Sequence, residues 1–178
     1  HLSIADLGCG SGEMLRIIAK LGQRQNCSVT LYGFDANPNI TAYATSHSAN
    51  YKNIFFEASN VFDAAFQNQK FDIIIATLFT HHFTDQQLID LFRAWKQQAR
   101  VSIIINDIHR HPLAYYSIKW LTQLFSKSTM VKYDAPLSVL RAFKKSELKS
   151  MLNAAGITHY TLRWRWAFRW QLIIPSLP

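Results

Sequence analysis

From Asp6 to Gly12 the chain reads Asp-Leu-Gly-Cys-Gly-Ser-Gly, an acid followed by three glycines at alternate positions. Glycines, lacking Cβ, allow a tight turn and let the backbone approach a ligand closely. A helix that starts at such a loop aims its free N–H groups and dipole at whatever the loop holds. A dinucleotide loop needs the spacing G-x-G-x-x-G. Counted from Gly8, the last position of that pattern is Glu13, an acid where a pyrophosphate would dock. A ligand that has no phosphates but carries an ammonium and a carboxylate suits the loop better. The second chemical resource is imidazole. His81 and His82 are adjacent, and His109 and His111 stand two apart. An imidazole near its ordinary pKa can accept a proton from a phenol or an enol. Two histidine pairs also raise a metal site, but the carboxylates and ligand spacing for one are missing, so no metal is expected. Cys9 and Cys27 lack metal or disulfide-framework spacing and read as reduced thiols. No histidine precedes Cys9 nearby to activate it as a nucleophile.

These residues need a frame, and strand and helix patterns alternate along the chain. Strands are predicted at Leu2–Leu7, Val29–Phe34, Asn53–Glu57, Phe71–Ala76 and Val101–Asn106. The run Phe71–Ala76 is continuously apolar, as a strand covered on both faces would be. A helix is predicted over Glu13–Leu21, with Gly22 stopping it. A weak one runs from Pro38 to about His47. Thr84-Asp85-Gln86-Gln87 resembles a capping box ahead of Leu88, Leu91, Phe92 and Trp95. Pro112–Phe125 and Ser146–Ala155 read as further helices, the second closed by Gly156. Ile157–Ile174 reads as a closing pair of strands. Five strand–helix units and a terminal pair predict an α/β fold: a Rossmann-like, doubly wound, seven-stranded sheet, mostly parallel with an antiparallel terminal strand and helices on both faces.

Asp6–Gly12 resembles motif I of the class I S-adenosylmethionine-dependent methyltransferases, of the type found in ubiquinone and menaquinone biosynthesis. Four further stretches match in order: Asp35, 23 residues past Gly12; Ser59-Asn60-Val61; Phe71–Thr77; and His81-His82-Phe83. Together they cover most of residues 2–111. The resemblance implies S-adenosylmethionine as cofactor and S-adenosylhomocysteine as product. It places Asp6, Gly8, Cys9, Gly10, Gly12, Asp35, Ala36, Asn60, Val61 and Thr77 around that cofactor. Asp35 would accept hydrogen bonds from both ribose hydroxyls. The family usually has Asp where Asn60 stands, and an amide oxygen can still accept a bond from the adenine amino group. Residues 1–178 read as a single methyltransferase domain with 112–145 as a helical insertion over the active site. A segment preceding His1 in a longer protein would add to the acceptor pocket.

On the acceptor side the general-base candidates are His81, His82 and His109. His111, Tyr115 and Tyr116 are the candidates for binding substrate, with Trp120 completing an aromatic lid. The expected reaction is direct displacement onto a small hydroxylated acceptor that is phenolic, quinol or enolic. Charge is uneven. Residues 1–88 carry 5 Lys+Arg against 7 Asp+Glu, and residues 89–178 carry 14 against 4, so a net of −2 meets a net of +10. The basic half suits an anionic, lipid-like or carrier-bound acceptor. It also keeps open a nucleic-acid methyltransferase, although Ala76-Thr77-Leu78-Phe79 lacks the Asn/Asp-Pro-Pro-aromatic motif common in amino-directed enzymes of that kind. A third reading is a non-catalytic module that binds the cofactor. Arg163–Trp170 alternates basic and aromatic residues with a period of two, as a half-buried strand does. No apolar run reaches membrane-span length and no secretory signal is visible, so a cytoplasmic location is expected. Oligomeric state is left open.

Overall fold

The computed structural model of the chain describes residues 1–176. Seven strands form one sheet in the order β3-β2-β1-β4-β5-β7-β6. They are β1 (Leu2–Leu7), β2 (Val29–Asp35), β3 (Ile54–Ala58), β4 (Phe71–Thr77), β5 (Ala99–Ile108), β6 (Thr161–Arg165) and β7 (Arg169–Pro175). The first five pair in parallel, and β7 runs antiparallel to both its neighbours. Strand order reverses beside β1, so the carboxyl ends of β1, β2 and β4 open a crevice where ligands bind in such sheets.

Helices cover both faces. They are α1 (Glu13–Arg24), α2 (Pro38–His47), α3 (Ala64–Gln67), α4 (Asp85–Gln98), α5 (Pro112–Phe125), α6 (Thr129–Arg141) and α7 (Lys145–Ala154), with a single 3-10 turn at Thr80–His82. Alternate strand residues feed opposite cores. Ile4, Leu31 and Ile75 pack with Leu15 and Ala19 of α1. Ala5, Leu7, Phe34, Ile74 and Ile103 pack with Phe92 and Trp95 of α4 and Leu152 of α7. This two-sided burial is why β4 is apolar throughout. The predicted capping box is present: Thr84 Oγ1 accepts from Gln87 N at 3.3 Å, and Thr84 N donates to Gln87 Oε1 at 3.0 Å.

Three details differ from the sequence reading. Gly22 does not stop α1 but lies inside it, where a Cβ would come within 3.1 Å of the Cys27 carbonyl oxygen. Its role is to let the returning chain pass close, and the turn comes later, at Asn26 with φ 51°. The four-residue α3 shows no periodicity from which to read it. β6 is an exposed edge strand rather than a half-buried one: only Leu162 is partly covered, and Trp166 leaves the strand for the hairpin turn.

Candidate active site

Two cavities adjoin at the carboxyl edge of the sheet. The sheet-edge cavity, about 580 Å³, is bounded by Gly8, Asp35, Ala36, Asn60 and Val61 together with Phe62, Phe79 and Phe83. The helical cavity, about 590 Å³, lies between the 3-10 turn, α5, α6 and the β6–β7 hairpin. Leu78 and His82 line both. Leu78 has φ 55°, a left-handed conformation that costs a non-glycine residue roughly 1–3 kcal/mol and gathers at functional sites.

The glycine loop is pinned from β2. Gly8 N and Cys9 N both donate to the Phe34 carbonyl, at 2.8 and 3.1 Å. Asp35 Oδ2 accepts from Gly10 N at 3.2 Å and its Oδ1 from Asn37 N at 3.0 Å. A carboxylate has about four lone-pair sites, so Asp35 keeps acceptor capacity for a ligand. Asn60 Oδ1 already accepts from Phe62 N at 3.1 Å, which leaves it less. Gly8 has φ 67°, and a Cβ there would lie 2.2 Å from the Phe79 ring. Phe79 in turn meets Phe83 edge-on at 4.9 Å, and both rings line the cavity that Asp35 also lines. Phe79, Phe83 and Phe62 were not among the sequence candidates, because aromatics after a strand read equally well as core.

Asp6 is buried at the end of β1, and its carboxyl takes no side-chain hydrogen bond from the described residues. Burial pushes its pKa up to about 7. A cationic ligand group would relieve that cost. Cys9 is buried too, and a Cβ on Gly33 would stand 2.9 Å from its Sγ, so the thiol points into the fold. Burial, helped by the negative charges of Asp6 and Asp35, pushes the thiol up to about 12, which removes it as a nucleophile. Asp6, Cys9, Gly10, Gly12 and Thr77 do not line the cavity themselves.

The histidines separate. His81 is buried, and its Nδ1 meets Asp107 Oδ1 at 2.7 Å. Asp107 also accepts from Thr80 Oγ1 at 2.5 Å, His81 N at 3.1 Å and Ile108 N at 2.7 Å. Burial alone would raise the Asp107 carboxyl, but the hydrogen bond and charge of His81, with Thr80 and Ile108, hold it below its ordinary value. With Nδ1 committed to the carboxylate, Nε2 is the free ring nitrogen of a residue that lines the helical cavity. His82 stacks on His81 with ring centroids 4.2 Å apart. Burial and the neighbouring His81 lower its pKa against the pull of Asp107, so it is neutral near pH 7. His109 lies outside both cavities, its ring against Trp170 at 4.7 Å and its Nδ1 buried without a partner. His111 caps α5 by accepting from Leu113 N at 3.2 Å. Asp107 escaped the sequence reading, although an acid at the carboxyl end of a parallel strand was its available signal.

The expected aromatic lid is turned away. Ala114, Ser117, Ile118 and Leu121 are the α5 residues lining the helical cavity, at helical spacing. Tyr116 and Trp120 are exposed on other faces, and Tyr115 borders a separate groove toward Tyr133 of α6. The helical cavity is otherwise apolar, with His81, His82, Ser117, Ser138 and Arg169 as its polar members. Among the described residues no three His, Cys, Asp or Glu gather as metal ligands, and no helix is long and apolar enough to cross a membrane.

Residues 1–156 match a family model described as a methyltransferase domain. The ubiquinone biosynthesis O-methyltransferase of Brucella ovis is 26% identical over 178 residues, covering 93% of this chain. The chain spans 66% of that relative's length. Among solved structures, magnesium protoporphyrin IX methyltransferase from Synechocystis with bound SAH superposes with TM-score 0.65 at 17% identity, covering 98% of this chain and 74% of that one. An S-adenosylmethionine-dependent methyltransferase from Aquifex aeolicus superposes with TM-score 0.72 at 14% identity, covering 99% and 82%. The loop pinned to Asp35, the crevice at the strand-order reversal and the family match agree: the chain belongs to the methyltransferase-domain family, whose methyl donor is S-adenosylmethionine.

Proposed function

We propose that the chain transfers the methyl group of S-adenosylmethionine to the hydroxyl of a small phenolic, quinol or enolic acceptor, with His81 as general base. The observation that carries this reading is the buried His81–Asp107 pair on the wall of the helical cavity. When bound, the cofactor supplies an electrophilic methyl group on a sulfonium, and the S–C electron pair stays with sulfur as the new O–C bond forms. Asp35 would hold the ribose hydroxyls and Asn60 with Val61 would border the adenine, while buried Asp6, which does not line the cavity, would act on the ammonium through its charge alone. Leu78 and His82 line both cavities, so they would flank the point where the donor's methyl group meets the acceptor oxygen. His81 Nε2 takes the acceptor proton, and Asp107 stabilises the imidazolium that results. The apolar walls exclude water and suit a flat ring better than a phosphate backbone. The name of the Brucella relative, an O-methyltransferase, supports oxygen as the methylated atom. His81→Ala tests the reading. Turnover of catechol acceptors should fall about a hundredfold while S-adenosylhomocysteine still binds. Unchanged turnover would remove His81 as the base. Preferential methylation of RNA or DNA would overturn the acceptor class.

A further inference from the structure

One charge in the helical cavity has no part in that chemistry. Arg169 opens β7 and lines a cavity whose other walls include Leu78, Ile108, Ile118, Leu121 and Val139. It stands directly opposite Ile108 on β5 and directly opposite Arg165 on β6. Like charges facing each other across a strand pair repel, and both need a partner. Arg165 has one: its Nε and Nη2 donate to Gln171 Oε1 at 2.9 and 2.7 Å. Arg169 does not. No acid among the described residues comes within 4.0 Å of its guanidinium, and its Nη1 is buried with no acceptor. Asp107 is the nearby carboxylate whose field reaches it, but that group is occupied by Thr80, His81 and Ile108. A buried donor left unmatched costs stability unless a ligand completes it.

We propose that Arg169 is a specificity-determining residue that pairs with a carboxylate on the acceptor, so that the substrate class is an aromatic or enolic hydroxy acid. The inference rests on reading the helical cavity as the acceptor site. A guanidinium presents its donors as a planar fork that matches a carboxylate. It is also the single guanidinium or ammonium lining this cavity among the described residues, which balances a monoanion and leaves a phosphate dianion short of cations. The strained hairpin supports the placement. Ala167 and Phe168 both have positive φ, 61° and 54°, immediately before Arg169, and both line the same cavity.

The test compares 3,4-dihydroxybenzoate with 3,4-dihydroxybenzamide, near-isosteres that differ in charge. Calorimetry on the chain loaded with S-adenosylhomocysteine should show the benzoate bound at least tenfold more tightly than the amide. Arg169→Gln should bring that ratio close to one, and Arg169→Lys should restore part of it. Affinity for S-adenosylhomocysteine, bound in the other cavity, controls for folding. A ratio that survives in Arg169→Gln, equal binding of the two probes by the unaltered chain, or no binding of the benzoate at millimolar concentration would each overturn the proposal. If the benzoate binds through Arg169 but is never methylated, the methyl-transfer reading fails and the anion site stands.

Discussion

Asp107→Asn separates the shape of the His81–Asp107 pair from its charge. The carboxylate accepts four hydrogen bonds, with Thr80 Oγ1 and His81 N on Oδ2 and with His81 Nδ1 and Ile108 N on Oδ1. An amide has one oxygen, so two donors must face an NH₂ group whichever way it sits. If the NH₂ lies toward His81, Nδ1 becomes the acceptor and the ring proton moves to Nε2, where the free lone pair was needed. If it lies toward Thr80, the hydroxyl can rotate but the backbone N–H of His81 cannot. Bonds to a charged acceptor are worth about 1.5–3 kcal/mol each, and with partial compensation by Thr80 the variant should lose about 2–4 kcal/mol of stability. Turnover should fall roughly a hundredfold or more, the scale of a lost general base. S-adenosylhomocysteine affinity should stay within about twofold, because Asp107 does not line the sheet-edge cavity. Single-turnover kinetics with methyl-labelled cofactor, calorimetry and thermal melts read these three quantities. The stability difference has a definite pH dependence. The Asp107 carboxyl is depressed in the folded chain, so its contribution is complete above the unfolded value near 3.9 and is lost as pH falls through the lower folded value. A variant with unaltered turnover and melting temperature at pH 7 would refute the role given to the pair.

Asp6 should release a proton when cofactor binds: its carboxyl, raised to about 7 by burial, is protonated at pH 6 in the free chain, and an arriving ammonium favours the ionised form. Calorimetry at pH 6 in buffers of different ionisation enthalpy should show this release in the unaltered chain and none in Asp6→Asn; equal values for both would unseat Asp6 from the ammonium. Asp35→Ala should weaken S-adenosylhomocysteine about tenfold or more, through the ribose bonds and through the acceptors lost to Gly10 N and Asn37 N. Unchanged affinity in that variant would remove the ribose assignment. Gly8→Ala and Gly10→Ala share a left-handed backbone cost of about 1–2 kcal/mol, but only Gly8→Ala also drives a Cβ into the Phe79 ring at 2.2 Å. Gly8→Ala should therefore melt clearly lower than Gly10→Ala, and equal melting temperatures would show that Phe79 yields freely.

What the sequence by itself determined is what neighbouring residues decide among themselves. The alternate glycines after Asp6 specify a tight turn, because positive φ at Gly8, Gly10 and Gly12 needs no distant partner. The Thr84–Gln87 box closes within one helical turn. The apolar run of β4 announces burial on both its faces in the same way. Tertiary structure decided the rest. His81 and Asp107 stand 26 residues apart, and only the register of β5 against β4 brings the 3-10 turn over the end of β5. The periodicity of α5 marks several apolar faces at once, and its packing against α6 selects the one with Ala114, Ile118 and Leu121 while leaving Tyr116 and Trp120 outside. Gly22 reads as a stop by composition, yet the chain returning through Cys27 needs its missing Cβ inside the helix. Arg169 looks like one more cation in a basic segment until the β6–β7 hairpin turns it into an apolar cavity. Each of these depends on which distant surfaces meet, and that choice is made by the summed burial of the whole sheet rather than by any local preference.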